Sequence, residues 1–412
     1  MRSILLLAFS AWLLSVHAQT DTTKRPILFV HGFLASGDTW AAQIQRFRTQ
    51  GYPESWLHVF DWNTLGNRQE SAALKARVQF ILEQTQQKQV VLIGHSAGGG
   101  LCYSLLKDTN VAPLVKAYIH TGSMKIPGPV NAIPTLNLYS NGDRVTGGQD
   151  VPGATNKMLP DLDHLQIAAS APAFDAMYQF IHGVAPAAVQ EPVAKRVRLA
   201  GRVVYLGDNK PVSQASVTVY AFNPQLGKRL RGNHLAAFTP DSLGYWQADQ
   251  IPTGQALEFD VAVPGAVNLH YYFEPFRTDD AQVYLRCIPK QGMAARMLAG
   301  LPETDSFTLT AVFTQFQAVV AGRDSLQVQG QLLSTEDLMA AKKTVIASFL
   351  YDDGDRQTSM RAIPGMGTGV FMQGVDMSIP TRRDPMHIRF NGRDYRIPCL
   401  PSSNDLQIVV FR

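Results

Sequence analysis

The chain has 412 residues, 45% of them hydrophobic and 17% charged, with 32 Gly and 24 Pro. A length of that order, at ~100–200 residues per domain, makes two or three domains with cores of their own, and the composition is neither fibrous nor disordered. The formal charge of +4 arises from 37 basic and 33 acidic residues with no polybasic block, which argues against nucleic acid as a partner.

Arg2 precedes an apolar run from Ile4 to Val16, and Val16-His17-Ala18 sets small residues before Gln19. This layout predicts a secretory signal peptide over residues 1–18, hence a secreted protein. No later run is long enough to span a bilayer. The three cysteines (Cys102, Cys287, Cys399) form neither a disulfide framework nor a zinc pattern; in an oxidising compartment a Cys287–Cys399 pair stays open.

Residues 19–183 read as an α/β domain with a mostly parallel sheet. Pro26–Val30, Val59–Trp62, Gln89–Ile93, Ala117–His120 and Thr135–Tyr139 are short apolar strand candidates. Between the second and third lies a helix over Ser71–Gln84, with Leu74, Val78, Ile81 and Leu82 at helical spacing, and Ala173–His182 closes the domain as a helix. Residues 184–194, with two prolines and no apolar period, read as a linker. Residues 195–412 turn to strand alternation, in Val197–Tyr205, Ala215–Tyr220 and Leu257–Val263, so this part is mainly β, with 195–265 and 266–412 as possible subdomains. Ser334 and Asp337 fit a capping box for one helix over Ser334–Lys343.

The chemistry concentrates in Gln89-Val-Val-Leu-Ile-Gly94-His95-Ser96-Ala97-Gly98. G-x-S-x-G between an apolar strand and a helix-compatible run makes a tight turn that exposes the serine, and Gly at 94 and 98 removes colliding Cβ atoms. A serine hydroxyl needs a base, and the base an orienting acid. Asp143, in the loop after Thr135–Tyr139, and His164, just before the closing helix, follow Ser96 in the order this arrangement requires. Asp161 and Asp163 are the competing acids, but Asp163 adjoins His164 and is badly placed to meet that ring. His31 and His120 precede the acid, and His182 falls late on the closing helix. The backbone N–H groups of Phe33 and Ala97 are the expected oxyanion donors, and Phe33 and Leu34 the expected walls beside the acyl group. These catalytic residues imply no metal and no organic cofactor.

On these residues, with His31-Gly32-Phe33, the N-terminal half resembles the α/β-hydrolase superfamily, among its secreted lipases and esterases. A longer resemblance, carried by Gly51–Glu54, Ala132–Leu136, Gly153–Asn156, Ala173–Gly183 and His270–Asp280, is to the archaeal-type two-domain lipase with a C-terminal β lipid-binding domain. That type carries a helical lid where this chain has only Asn63–Glu70, and its acid sits at the position of Thr121. Leu199–Val204 with Pro211–Tyr220 and Thr239–Trp246 resembles a transthyretin-like sandwich. The resemblance implies a serine ester hydrolase whose β part helps bind lipid or another ester, with lipid-interface association possible. A polymer-directed esterase is the alternative, and a non-catalytic secreted adhesion protein a remote one. The run Tyr271-Tyr272-Phe273 reads as sheet core first and substrate contact second.

Overall fold

Apolar runs without a polar face become strands buried on both sides, and the first half of the chain does this repeatedly. In the computed structural model, which describes residues 24–66, 70–189, 194–339, 342–363, 371–381 and 384–412, one six-stranded parallel sheet forms. Its strands are β1 (Ile27–Val30), β2 (Leu57–Phe60), β3 (Val90–His95), β4 (Val115–Thr121), β5 (Thr135–Tyr139) and β6 (Thr155–Met158), in the order β2-β1-β3-β4-β5-β6. Alternate residues of β1 and β3 point to opposite faces. Phe29 and Ile93 pack with Phe47 of α1 (Ala41–Thr49) and Phe174 of the closing helix (Ala171–His182). Val30 and Leu92 pack with Val78 of α2 (Glu70–Thr85) and Leu105 of α3 (Ala97–Leu106). The expected strands and helices appear at these places with ends shifted by a few residues. Two of these elements have no counterpart in the sequence reading: α1, and β6, whose Thr-Asn-Lys-Met is exposed throughout and which lies at the sheet edge.

From residue 196 on, the sheets are built from alternating residues. A nine-stranded sheet is the central layer; Asn268–Phe273 and Asp405–Phe411 pair in parallel near its middle, and Met372–Asp376 ends the strand order. A three-stranded sheet (Tyr245–Pro252, Arg196–Tyr205, Asp280–Cys287) covers one face, where Leu199, Trp246 and Leu285 meet Phe259 and Tyr271. A four-stranded sheet containing Met386–Phe390 and Arg393–Ile397 covers the other, where Ile388 and Tyr395 meet Phe222 and Tyr272. Adjacent residues Tyr271 and Tyr272 thus enter opposite cores, as a period of two dictates. The nine-stranded sheet takes strands from both sides of residue 265, so no division between sheets falls there.

One expectation is corrected, and the open question of the cysteine pair is answered. Residues 334–339 form turns, not a helix. The Ser334 hydroxyl donates to the Asp324 carbonyl and accepts the Leu326 N–H, so it is not available to cap. No disulfide joins Cys287 to Cys399 among the described residues. The expected signal peptide and residues 190–193 of the expected linker lie outside the described residues. Among those described, no helix is long and apolar enough to cross a membrane.

Candidate active site

The β3–α3 turn sets the geometry. Ser96 has φ 54° and ψ −124°, a left-handed backbone for a residue with a Cβ, stored at the point where strand becomes helix. The glycines around it are there for want of space. A Cβ on Gly98 would lie 2.3 Å from the His31 carbonyl oxygen, and one on Gly94 2.7 Å from the Gly99 Cα. A Cβ on Gly32 would meet the Ser96 Cβ at 3.0 Å, so the loop after β1 passes directly beside the serine. Ala97 opens α3, so its N–H has no acceptor within the helix. Among the described residues no hydrogen bond engages the N–H of Phe33.

The loops after β5 and β6 bring Asp143 and His164 together, with His164 Nδ1 2.9 Å from Asp143 Oδ2 and both side chains buried. Burial pushes the Asp143 carboxyl up, but hydrogen bonds from His164, the Thr146 hydroxyl and the Val145 N–H outweigh it and hold the group at about 2. The carboxylate accepts the Nδ1 proton, which leaves Nε2 of His164 as the basic nitrogen. That nitrogen is buried and has no partner among the described residues. No hydrogen bond joins Ser96 to it, a contact that often tightens only when substrate is present.

His95, an unassigned position of G-x-S-x-G at the sequence level, positions this ring. Its Nε2–H donates to the His164 carbonyl at 2.8 Å, and the two rings lie 4.6 Å apart. Burial, with the neighbouring His164, pulls His95 down to about 3, so it stays neutral and does not compete as a base. His31 is fully buried; its Nδ1–H donates to the Gly32 carbonyl and its Nε2 accepts the Trp62 N–H. His120 is held between the Tyr118 hydroxyl and the Met124 carbonyl. Thr121 only reaches the Ile167 carbonyl. Asp163 accepts the N–H groups of Leu165 and Gln166, and so secures the turn that carries His164.

Three contacts reach this site from beyond residue 195, and none had a local signal in the sequence. The Phe371 ring stacks on His164 at 5.5 Å. Arg323 pairs with Asp163 at 2.7 Å. Asn209, itself at φ 56°, donates to the carbonyls of Ala35 and Trp62 and accepts the Ser36 hydroxyl, fixing the loop that contains Phe33. A mostly apolar cavity opens between the two parts of the chain, with Phe33, Leu34 and Leu165 on one side and Tyr271, Phe313, Phe371 and Met372 on the other. The expected wall residues Phe33 and Leu34 are therefore in it, and so is Tyr271.

Comparison with known proteins agrees with this architecture. Residues 25–149 match the family model for the alpha/beta hydrolase fold, and residues 195–289 match that of the lipase C-terminal domain. Similar solved structures include a Bacillus licheniformis lipase in mature form, at 17% identity over 39% of this chain and 94% of that one, TM-score 0.32. A soluble variant of the Saccharomyces cerevisiae monoglyceride lipase with a substrate analog matches at 13% identity over 41% of this chain and 90% of that one, TM-score 0.33. An alpha/beta hydrolase enzyme from a lagoon-sediment metagenome matches at 16% over 39% and 89%, TM-score 0.31. The parallel sheet and the strained serine turn agree with the alpha/beta hydrolase fold matched over residues 25–149, which is followed by the match to a lipase C-terminal domain over residues 195–289.

Proposed function

We propose that the protein is a secreted serine carboxylic-ester hydrolase that works through an acyl-Ser96 intermediate. His164 Nε2 takes the Ser96 hydroxyl proton as Oγ attacks the acyl carbon, and Asp143 holds the ring in the tautomer that allows it. The oxyanion forms against the N–H groups of Phe33 and Ala97, at the positive end of α3. The ester C–O bond breaks as His164 returns the proton to the leaving alcohol. A water deprotonated by the same nitrogen then attacks the acyl carbon and frees Ser96 and a carboxylic acid. The single observation that carries this reading is the strained Ser96 backbone beside a buried His164–Asp143 pair whose Nε2 is unbonded.

The apolar cavity is the place for the acyl chain. Its far wall belongs to the C-terminal β region, which supports a part for that region in substrate binding. This favours a free acyl ester over a polymer chain, since the wall closes over the histidine. The test is labelling with a serine-directed phosphonate and peptide mapping, followed by a chain-length profile on acyl esters with and without an oil–water interface. Label on Ser96, loss of turnover in Ser96→Ala and a preference for acyl chains long enough to enter the cavity are expected. Label elsewhere, or full turnover by Ser96→Ala, overturns the mechanism. Preference for acetyl esters overturns the cavity assignment. Secretion is tested separately, by the N-terminal residue of protein recovered outside the cell, expected to be Gln19.

A further inference from the structure

The far end of the strand pair that presents Phe371 carries a second feature, with no group in the acyl-transfer scheme. Strands Ala347–Tyr351 and Met372–Asp376 run parallel with Tyr351 opposite Asp376, and the chain leaves the first strand through Asp352-Asp353-Gly354-Asp355. One carboxylate oxygen from each of Asp352, Asp355 and Asp376 lies within 4.8 Å of the others. Asp352 is 7% exposed and Asp376 1%. None of the ion pairs among the described residues reaches any of the three.

Two buried carboxylates with no cation beside them are an expensive arrangement unless something neutralises them. Hydrogen bonds account for part of their capacity. Asp352 Oδ1 accepts the N–H groups of Gly354 and Arg356, and Asp376 accepts the Asp353 N–H, the Ser359 N–H and the Ser359 hydroxyl. Asp352 Oδ2 is different: it is buried and has no partner among the described residues, in a carboxylate grouped with two others. An oxygen-only donor set with three negative charges selects a hard divalent cation. Calcium fits best, because its bonds of about 2.3–2.6 Å and loose geometry accept ligands from a loop and a strand, with carbonyls and water completing the shell. Magnesium demands a stricter octahedron and gives up its water reluctantly.

We propose that Asp352, Asp355 and Asp376 form a structural calcium site. The ion ties the loop after Tyr351 to the end of Met372–Asp376, the last strand of the sheet order, whose outer edge is held among the described residues only by the short bridge around Ala362. The other end of the same pair places Ile346, Ala347, Phe371 and Met372 at the cavity. Calcium at one end therefore braces the strand that sets Phe371 against His164.

The test uses the full chain, freed of metal with a chelator and dialysed against calcium chloride or magnesium chloride, with radiolabelled calcium for stoichiometry and thermal melts for stability. One calcium per chain is expected, with a melting temperature raised by roughly 5 °C at a hundredfold excess over Kd. Asp355→Asn, at an exposed position, should weaken binding about tenfold or more. Asp352→Asn should remove binding and yet leave the metal-free protein at least as stable as the parent, because it relieves repulsion; a merely structural aspartate would show the opposite sign. Should Asp352→Asn fail to fold, the parent stoichiometry and Asp355→Asn decide the matter. No calcium bound at millimolar concentration, unchanged affinity in Asp355→Asn, or tighter binding of magnesium than of calcium overturns the proposal.

Discussion

Asn209→Ala is the substitution that best separates the two roles of the C-terminal part, support of the catalytic loops and contact with substrate. Asn209 is 5% exposed and lies against Ala35, Ser36 and Trp62, remote in sequence from all of them. Truncation leaves the carbonyls of Ala35 and Trp62 without this donor and the buried Ser36 hydroxyl proton without its acceptor, since Arg286 Nε at 3.2 Å only donates to that oxygen. At about 1–2 kcal/mol for each orphaned carbonyl, the loss from the two carbonyls alone is about 2–4 kcal/mol. The left-handed backbone at φ 56° adds about 1 kcal/mol for alanine that glycine does not incur. Urea unfolding should therefore rank the parent above Asn209→Gly and that above Asn209→Ala, with an unchanged slope. The freed loop carries the Phe33 N–H. Since one oxyanion donor is worth about 2.7–4 kcal/mol, a loosened one should lower kcat by about ten- to a hundredfold with KM for a short ester little changed. A stability loss below about 1 kcal/mol together with an unchanged kcat refutes the reasoning.

Asp143→Asn should fold and bind substrate while kcat drops about ten-thousandfold, because the wrong histidine tautomer is then favoured; active-site titration with stopped-flow turnover checks it. Gly98→Ala should cost about 3 kcal/mol or prevent folding, since its Cβ meets backbone oxygens at 2.3 and 2.5 Å, whereas Gly100→Ala, with nothing within 4 Å, should be stabilising by about 0.5–1 kcal/mol in parallel chemical melts. Arg323→Ala leaves the buried Asp163 carboxylate without its cation, so both stability and kcat should fall, and Arg323→Lys should restore part of each. Burial alone pulls His270 down, but hydrogen bonds to Asp405 and Glu258 raise it to about 9, above its ordinary 6.5. Its stabilising contribution is thus full below about pH 6.5 and fades as pH rises through about 9, a slope that melts across this range should show in the parent and not in His270→Gln.

The sequence is most informative where structure is local. β1 and β3 are legible because both faces are buried, and the serine turn because Gly32, Gly94 and Gly98 have no space for a Cβ. The Asp143–His164 pair is legible through chain order, since a parallel sheet presents the loops after β5 and β6 at one edge. β6 is not, because an exposed polar strand at a sheet edge has no apolar signal. Ser334 misleads for a related reason: its hydroxyl is used by Asp324 and Leu326, which belong to another part of the sheet. Contacts such as Asn209 to Ser36, 173 residues apart, or Arg323 to Asp163, 160 apart, leave no pattern in a single chain. The grouping of Asp352, Asp355 and Asp376 is of the same kind, since Asp376 arrives on a neighbouring strand.

That division bears on how the two parts of the molecule share the work. Residues 19–183 hold every group in the acyl-transfer scheme, which makes the remainder look like an appendage for substrate capture. The contacts argue otherwise. Arg202 and the Tyr284 hydroxyl both reach Asp61, Arg286 reaches Asp38, and Arg323 reaches Asp163, so three aspartates of the first part find their cations in the second. Two of those links, with Asn209, bear on the turns that position Phe33 and His164. Phe371 also sits on the histidine itself, its ring stacked on that of His164. Tyr271, Phe313 and Met372 of the C-terminal β region continue the cavity wall from Phe371, opposite Phe33 and Leu34. That wall is a packed sheet and not a hinged helix. Under the proposed function, selectivity then follows from the fixed shape of the cavity, and acyl chain length is read by fit.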